Sequence, residues 1–382
     1  MATISLPPLG LYIHLPWCER KCPYCDFNSH ESSKPPEQAY VDALLADLAQ
    51  DRELAQGRQL ETLFIGGGTP SLFSAGSIAR LLVGVGNILE LSPSLEASME
   101  ANPGSAEAEK FRGFREAGIN RLSLGIQSFD DRHLQALGRV HDGDQARRAL
   151  AAASEAGFDN LNIDLMHGLP EQTAYAAISD LRLALAHQPT HLSWYQLTIE
   201  PNTRFYTQPP RLPGEETLAD IQQAGEQLLA GEGYSQYEVS AYSLPGYNCR
   251  HNRNYWSFGD YLGIGAGAHG KISYPDGRIT RYSKTRLPTD YLKAAGGQRR
   301  CGVRTLARED ITGEFMLNAL RLNDGFDSEH FSRVTGLNAN ALQPQLDELC
   351  AQGLLQLDGS RVYSTDLGRR FLDTMVAEFF PR

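Results

Sequence analysis

The feature that most constrains the fold of this chain is the alternation of apolar, strand-like runs with helix-like segments over its first two-thirds. Six such runs are present, at residues 9–15, 61–66, 95–101, 119–126, 160–166 and 191–199. Helix-like segments separate them, and Gly118 and Gly157 stand where two of those helices should end. This alternation predicts βα units that form a parallel sheet.

Polar or glycine-rich residues lie at or just after the end of each of the six runs. In a β/α barrel the reactive groups lie at the C-terminal ends of the strands, so these residues should share one face of the protein. The residues concerned are Cys18, the stretch 66–70, Glu100 with Asn102, Gln127, Asp164 with His167, and Glu200. We therefore predict an α/β fold, a partial (β/α)6 barrel of the TIM type, with a site on this face.

The last part of the chain has a different pattern, which begins at a boundary near residues 287–304. Helices and one hairpin are predicted there in this order: helices at 310–321, 328–335 and 339–352, a hairpin at 358–359 and a helix at 366–380. This order is typical of a winged-helix-like α+β domain. The predicted division of the chain is a barrel core at 1–208, a barrel extension at 209–296 and the winged-helix-like domain at 297–382.

Charge argues against nucleic acid as a partner. The chain has a net charge of −11, and residues 301–382 hold 12 acidic and 8 basic side chains with no lysine. Non-specific binding to nucleic acid needs a basic surface that displaces counterions from phosphates. We therefore expect the C-terminal domain to dock onto the barrel or cover it, and not to bind DNA.

Three closely spaced cysteines, Cys18, Cys22 and Cys25, follow the first apolar run in a C-x-x-x-C-x-x-C pattern. Cubane iron–sulfur clusters usually take four thiolates, so three cysteines with no fourth nearby predict a cluster with one iron open to another ligand. Zinc is the alternative, because zinc sites also use closely spaced cysteines, and His14 and His30 are the nearest further ligands.

A triple glycine followed by Thr69 and Pro70 ends the second run. One interpretation is a tight turn between strand and helix. The other is that Gly67 and Gly68, which lack a Cβ atom, let backbone groups approach a ligand closely. The position of this turn, one βα unit after the cysteines, favours the second interpretation.

Four further polar residues, Glu100, Gln127, Arg139 and Asp164, belong to the same predicted face. Each alone is compatible with an ordinary polar residue or ion-pair partner at the rim of a barrel. Together they suit a nucleoside, since carboxylates accept hydrogen bonds from ribose hydroxyls and arginine binds carboxylates.

An unusual segment at residues 249–256 reads Cys-Arg-His-Asn-Arg-Asn-Tyr-Trp, after an aromatic-rich run at 234–242 that we expect to be irregular. His251 could be an axial ligand of haem iron, with flat aromatic surfaces nearby for a macrocycle. The alternative is that His251 bonds backbone groups in a folded loop and the aromatic residues are core. The glycine-rich segment 263–270 predicts close backbone packing or an approach to the ligand cavity, with His269 as a weaker candidate ligand.

Cysteine use and hydropathy indicate the compartment. Six cysteines, three of them clustered, do not form the pattern of a disulfide framework, and the N-terminus lacks a secretory signal. No apolar run reaches the ~20 residues that a membrane-spanning helix requires. We expect a cytoplasmic protein, for which peripheral contact with a membrane stays open.

These motifs resemble those of a known family. The C-x-x-x-C-x-x-C array with Tyr24 before its last cysteine is similar to the radical S-adenosylmethionine (SAM) superfamily. Residues 12–18, 66–70, 100–103 and 125–129 resemble the oxygen-independent coproporphyrinogen oxidases within it. Those oxidases have a fourth cysteine where this chain has Phe27, and the segment 251–256 resembles the H-N-x-x-Y-W element of the haem-chaperone branch.

The resemblance implies roles for particular residues. Cys18, Cys22 and Cys25 would hold a 4Fe-4S cluster, whose open iron binds SAM through its methionine part, and His251 is the candidate for contact with haem. The positions that match SAM-binding residues of the family are Tyr12, Tyr24, Gly67, Gly68, Thr69, Glu100, Gln127, Arg139 and Asp164.

The resemblance also implies a function. It favours a haem-binding and haem-transfer protein that carries a SAM-ligated 4Fe-4S cluster, with haem-dependent respiratory proteins as acceptors and a homodimer as one option. The alternative is an enzyme, an oxygen-independent coproporphyrinogen III oxidase that performs a radical oxidative decarboxylation.

Overall fold

A twelve-stranded sheet forms the centre of the protein. The computed structural model describes residues 4–104 and 108–380. All six predicted runs form strands, and two short strands form a separate parallel ribbon around the cysteine segment. The strands of the first two-thirds are β1 (Leu9–Leu15), β2 (Trp17–Cys18), β3 (His30–Glu31), β4 (Leu60–Gly67), β5 (Leu91–Ala101), β6 (Arg121–Gln127), β7 (Leu161–His167) and β8 (His191–Gln196).

The six long strands are parallel and lie in the order β1-β4-β5-β6-β7-β8. Their side chains are buried almost continuously, as expected for a parallel sheet that is covered on both faces. The predicted partial barrel is confirmed. The C-terminal ends of the six strands consequently lie along one face.

Helices connect these strands and cover the outside of the sheet. Gly118 and Gly157 take φ values of 111° and 82° at helix ends, as predicted. The helix Gly143–Glu155 begins after Asp142, which forms a capping box with Gln145. This capping box satisfies backbone N–H groups that have no partner within the helix. The helices are α1 (Glu37–Asp51), α2 (Ala75–Ile88), α3 (Phe111–Ala117), α4 (Asp131–Ala136), α5 (Gly143–Glu155), α6 (Ala174–Leu185), α7 (Arg204–Thr207) and α8 (Glu215–Gly231).

Six later strands extend the sheet at both edges. At one edge, one strand pairs with β8 and a second strand pairs with that one. At the other edge, four strands extend the sheet beyond β1, and the first of the four is parallel to β1 and places Gly263 opposite Tyr12. The six strands are β9 (Ser235–Glu238), β10 (Ala241–Ser243), β11 (Asp260–Ile264), β12 (His269–Ser273), β13 (Ile279–Lys284) and β14 (Arg300–Thr305).

The aromatic-rich run 234–242 was expected to be irregular, and this expectation is wrong. The run forms β9 and β10, because Tyr237 and Tyr242 are buried and the backbone pairs with β8 at Leu192. The segment that follows it is a helix, α9 (Arg250–Trp256).

The glycine-rich segment packs closely, as predicted. A Cβ atom on Gly263 would overlap the backbone oxygen of His269, and one on Gly265 would overlap that of His14. Gly265 and Gly267 also take φ values of 101° and 83°, which side chains disfavour. The turn between β11 and β12 therefore lies directly against β1.

The C-terminal part packs around a second core, to which Phe258 and Ile279 of the extension also contribute and in which the Phe315 ring meets those of Phe326 and Phe331 edge to face. The predicted winged-helix-like arrangement is confirmed. Its elements, after α10 (Pro288–Lys293), are α11 (Arg308–Ala319), β15 (Phe326–Asp327), α12 (Ser328–Thr335), α13 (Gln345–Ala351), β16 (Leu355–Asp358), β17 (Arg361–Ser364), α14 (Asp366–Arg370) and α15 (Leu372–Ala377).

Two helices predicted in this part are shorter than expected. The helix predicted at 339–352 is a 3-10 turn, Ala339–Leu342, followed by α13, because Pro344 has no N–H to donate to a continuous helix. The final helix is interrupted at Phe371, whose backbone leaves the helical region.

Among residues 4–104 and 108–380, no helix is both long enough and apolar enough to cross a membrane.

Replacing Gly225 with alanine should destabilise the fold. A Cβ atom at this position in α8 would overlap the indole ring of the buried Trp194, so we expect the free energy of unfolding to fall by about 1–3 kcal/mol. Urea denaturation measures this value. Gly231→Ala in the same helix is the control, because no atom lies near its Cβ position; equal losses in both variants would contradict the steric argument.

Candidate functional site

The three cysteines lie on a loop that the β2–β3 ribbon closes. The backbone N–H of Ser32 donates to Cys18 O over 2.9 Å, and that of Cys25 donates to Cys22 O over 3.1 Å. All three thiols are free. Burial raises the pKa of the Cys18 and Cys25 thiols, so in the absence of a metal these two favour the protonated form.

The glycine turn lies against the start of the cysteine loop. The N–H of Gly68 donates to Leu15 O over 2.8 Å and that of Thr69 to Trp17 O over 2.7 Å. A Cβ atom on Gly68 would overlap the Trp17 backbone, and one on Gly67 would lie 2.7 Å from the His14 ring. Both interpretations of this turn thus receive support, since the glycines allow close packing and bring the turn next to the cysteines.

Arg139 joins the cysteine loop to the strand ends. Its Nη1 donates to Cys22 Sγ over 3.6 Å, and its Nη2 donates to Asn102 Oδ1 over 2.9 Å and to Gly125 O over 2.8 Å. Burial disfavours the charge of this guanidinium, yet Tyr24 and Cys22 nearby hold its pKa above the usual range. Its buried Nε has no hydrogen-bond partner among the described residues, so a ligand group would satisfy it.

Glu100 at the end of β5 and Asp164 in the middle of β7 are half-buried acids. Burial, together with the charge of Asp164, raises the pKa of Glu100 to about 8, so its carboxyl group is largely protonated at neutral pH. Glu100 Oε2 accepts from the N–H of Gly67 over 3.2 Å. Burial also raises the pKa of Asp164, whose oxygens accept from Ser123 Oγ over 2.9 Å and Asn162 Nδ2 over 2.8 Å.

Gln127 ends β6 with an unusual backbone conformation. Its φ of 67° lies in the left-handed region, which a side chain disfavours. Its Oε1 accepts a hydrogen bond from the Tyr195 hydroxyl over 2.9 Å. Strain of this kind often accompanies a binding site.

Asn28 and Tyr195 belong to this network and were not predicted from the sequence, whereas His14 was proposed only as a zinc ligand and Asn102 only as a polar residue at a strand end. The Tyr12 hydroxyl donates to His14 Nδ1 over 3.0 Å, and His14 Nε2 donates to Asn28 O over 2.8 Å. Both nitrogens of His14, proposed from the sequence as a fourth zinc ligand, are therefore engaged. Its position two residues after Tyr12 in a strand is the signal that could have identified it, because the two side chains share a face.

His251 is placed inside the barrel, at 1% exposure. Its Nδ1 lies 2.9 Å from Thr62 Oγ1 and its Nε2 lies 2.8 Å from the Tyr255 hydroxyl. Phe64 stacks on its ring with centroids 5.3 Å apart. Burial lowers its pKa to about 3, so the imidazole is neutral.

A cavity of about 660 Å³ opens beside the cysteine loop. This volume lies within the roughly 300–1,000 Å³ that is typical of sites for cofactors and small molecules. Tyr12, Gly67 and Glu100 line one part of it, while His269 and Arg286 line another. Of the predicted site residues, Tyr12, Gly67 and Glu100 line this cavity, whereas His251 does not line it and contacts Tyr255, which does.

The fold and these residues define a class of protein. The family profile described as the radical SAM superfamily matches residues 12–184, and the one described as the HemN C-terminal domain matches residues 306–371. The chain is a radical SAM protein, and membership of this superfamily implies a 4Fe-4S cluster and SAM.

Similar proteins narrow the class. The chain is 49% identical to haem chaperone HemW of Escherichia coli, over 98% of this chain and 99% of that one. It is 48% identical to haem chaperone HemW of Haemophilus influenzae, over 98% of each chain. The solved structure of coproporphyrinogen III oxidase HemN of Escherichia coli aligns with a TM-score of 0.81 at 25% identity, over 98% of this chain and 90% of that one. The chain belongs to the HemW family.

The residues present fit an iron–sulfur cluster with SAM. Three free thiols and a glycine turn that excludes side chains surround the place where the two would lie, and Arg139 offers an unsatisfied N–H there. Among the described residues, no three His, Cys, Asp or Glu side chains converge as ligands of a single ion. A cubane differs from a single ion, since each thiolate binds a separate iron corner.

Loss of one cysteine of the loop should abolish cluster binding. We expect Cys22→Ala, reconstituted anaerobically with iron and sulfide, to lose most of its iron and its absorption near ~400 nm, because two thiolates hold a cubane poorly. Cys350→Ala, outside the loop and half-buried, is the control. Iron analysis and spectroscopy make the comparison, and a Cys22→Ala protein with full iron content would contradict the assignment.

Replacing Glu100 with glutamine should change how stability depends on pH. The folded pKa of about 8 lies above the ordinary 4.5, so ionisation of Glu100 costs the parent stability progressively as pH rises from 4.5 to 8. We expect Glu100→Gln to gain stability relative to the parent across this window and to keep the gain above it. Urea unfolding of the metal-free proteins measures the difference, with exposed Glu116→Gln as control; a difference that does not vary with pH would contradict the burial argument.

Proposed function

We propose that this protein is a haem chaperone, which binds haem and transfers it to proteins that need it. The observation that carries the proposal is the 49% identity to a haem chaperone over nearly the whole of both chains. The cavity beside the cysteine loop supports it, because that cavity is large and lined by aromatic rings.

The proposal assigns the cofactors to particular residues. Cys18, Cys22 and Cys25 hold the 4Fe-4S cluster. When bound, this cluster supplies an open iron for the amino acid part of SAM and a source of single electrons. The residues assigned to SAM are Tyr12, Tyr24, Gly67, Gly68, Thr69, Glu100, Gln127, Arg139 and Asp164.

The protein's own groups give these assignments a chemical basis. Glu100, protonated at neutral pH, can donate a hydrogen bond from its carboxyl group, whereas an ionised carboxylate only accepts. Arg139 offers its unpartnered Nε–H to an anionic or carbonyl oxygen. The glycine turn leaves backbone room beside the cysteines for the methionine part of SAM.

His251 stays the candidate predicted from the sequence for contact with haem. In the described conformation both of its nitrogens are engaged, with Thr62 and Tyr255. Ligation of iron by His251 therefore requires one of these hydrogen bonds to break. Tyr255, which lines the cavity, connects the two places.

The proposal extends to partners and place. Haem is the cargo, and haem-dependent respiratory proteins are the acceptors that the family resemblance favours. The protein acts in the cytoplasm, where contact with a membrane surface and a homodimer would bring it to such acceptors.

The second candidate function is oxidation of coproporphyrinogen III. The TM-score of 0.81 to coproporphyrinogen III oxidase favours this candidate. Against it stands Phe27, which replaces the fourth cysteine that the family resemblance leads us to expect in such oxidases. Phe27 is 62% exposed and lines the cavity.

Two measurements on the anaerobically reconstituted protein separate the functions. The haem-loaded protein is mixed with an excess of apo-protein from a haem enzyme, and the absorption spectrum of the acceptor is followed. We expect the acceptor to gain haem faster from this protein than from haem-loaded serum albumin. The reason is that a chaperone releases its cargo to a docked partner.

The second measurement is incubation with coproporphyrinogen, SAM and an electron donor. We expect no protoporphyrinogen beyond one equivalent per protein. Multiple turnovers would overturn the chaperone assignment in favour of the oxidase.

A further inference from the structure

The cavity beside the cysteine loop contains a histidine that the described residues leave available. His269 begins β12 and lines the cavity, and neither of its ring nitrogens takes a hydrogen bond from the described residues. In this it differs from His14 and His251, whose nitrogens are all engaged. A metal ligand needs a free lone pair. His269 can therefore ligate a metal without losing a hydrogen bond, whereas His14 and His251 cannot.

His269 belongs to a row of three side chains that forms one wall of the cavity. His269 lies opposite Ser283, and Ser283 lies opposite Cys301, across β12, β13 and β14. Side chains directly opposite in antiparallel strands point to the same face. All three residues line the cavity, so this wall presents an imidazole, a hydroxyl and a thiol in order.

Aromatic rings and an arginine line other parts of the cavity. The rings of Tyr255 and Tyr261 meet edge to face with centroids 4.4 Å apart, and the exposed ring of Phe27 lies near the cysteine loop. Arg286 also lines the cavity, and its guanidinium forms no ion pair or side-chain hydrogen bond with the described residues. Flat apolar surface and a free guanidinium suit a planar macrocycle that carries carboxylates.

We propose that His269 is the axial ligand of haem iron in this cavity, with Arg286 bound to a haem propionate. This inference rests on the proposed haem-chaperone function and names the binding site for its cargo. Haem iron commonly takes a single histidine as its proximal ligand. His251 then acts as a positioning residue, because its Nε2 holds the hydroxyl of Tyr255.

The electrostatic surroundings agree with this assignment. Partial removal from water against the cavity wall, and secondarily the charge of Arg281, lower the pKa of His269, so its imidazole is neutral near pH 7. A neutral imidazole has the lone pair that iron requires.

The location connects the haem to the rest of the site. Tyr12, Gly67 and Glu100 line the same cavity as His269. Haem bound there lies beside the proposed place of the cluster and SAM, so occupation of one can affect the affinity for the other.

Haem titration of His269→Ala tests the proposal. The full-length parent and variant are titrated with ferric haem, and the reduced complexes are examined by resonance Raman spectroscopy for the iron–histidine stretch. We expect His269→Ala to bind haem about tenfold more weakly or worse and to lose this stretch, and added imidazole to restore a nitrogen-ligated spectrum. His269→Gln serves as a second variant that keeps a polar side chain of similar size.

Three matched variants complete the experiment. His187→Ala removes a histidine outside the cavity and should behave as the parent does. His251→Ala should keep the iron–histidine stretch, even if its affinity changes. Arg286→Ala should weaken binding of haem but not of its dimethyl ester, which lacks the propionate charge.

The outcomes separate the inference from the function. The inference is wrong if both His269 variants keep the haem affinity and the iron–histidine stretch of the parent. It is also wrong if His251→Ala or Cys301→Ala abolishes that stretch instead. In both cases the chaperone function stands. If the parent itself binds no haem, both are wrong.

Discussion

The structure of the site depends on the imidazole of His14, which links a strand of the sheet to the cysteine loop. It accepts from Tyr12 within β1 and donates to the backbone of Asn28, the residue after Phe27. Burial lowers its pKa, which keeps it neutral and able both to donate and to accept. The Asn28 side chain in turn donates to the backbone oxygens of Ala266 and Arg286, over 2.9 Å each. One neutral ring therefore orients the cysteine loop against the sheet and the cavity wall.

Much of the barrel could be predicted from the sequence, because its signals are local. Each parallel strand is a short apolar run, and each is followed by a helix with its own caps, such as Asp142 with Gln145. The extension at 234–305 was harder to predict. Its strands β11 and β10 pair with β1 and β8, and its other strands pair within the extension. The pairing of Tyr12 with Gly263 joins residues far apart in sequence. Propensity within a window contains no information about such partners.

The same distinction holds for the site. The cysteine spacing, the glycine turn and the acids of the strands could be recognised in the sequence. Their place on one face could be predicted, because β/α topology brings the C-terminal ends of the strands together. The environment of His251 was not visible, because its partner Thr62 lies 189 positions away and its burial results from packing of α9 under β1 and β4. His269 lay in the glycine-rich segment and was ranked below His251. Only the three-dimensional structure shows that its ring nitrogens have no hydrogen-bond partner among the described residues and that it lines the cavity.

The pairing of β11 with β1 has a consequence for the order in which the molecule forms during synthesis. Residues 9–13 leave the ribosome first, yet their neighbours at 260–264 follow about 250 positions later. Until then β1 has an open edge, and Asn28 lacks its acceptors at residues 266 and 286. An unpaired edge exposes N–H and C=O groups to other chains. The cysteine loop is therefore made early but becomes fully anchored only when three-quarters of the chain has been translated.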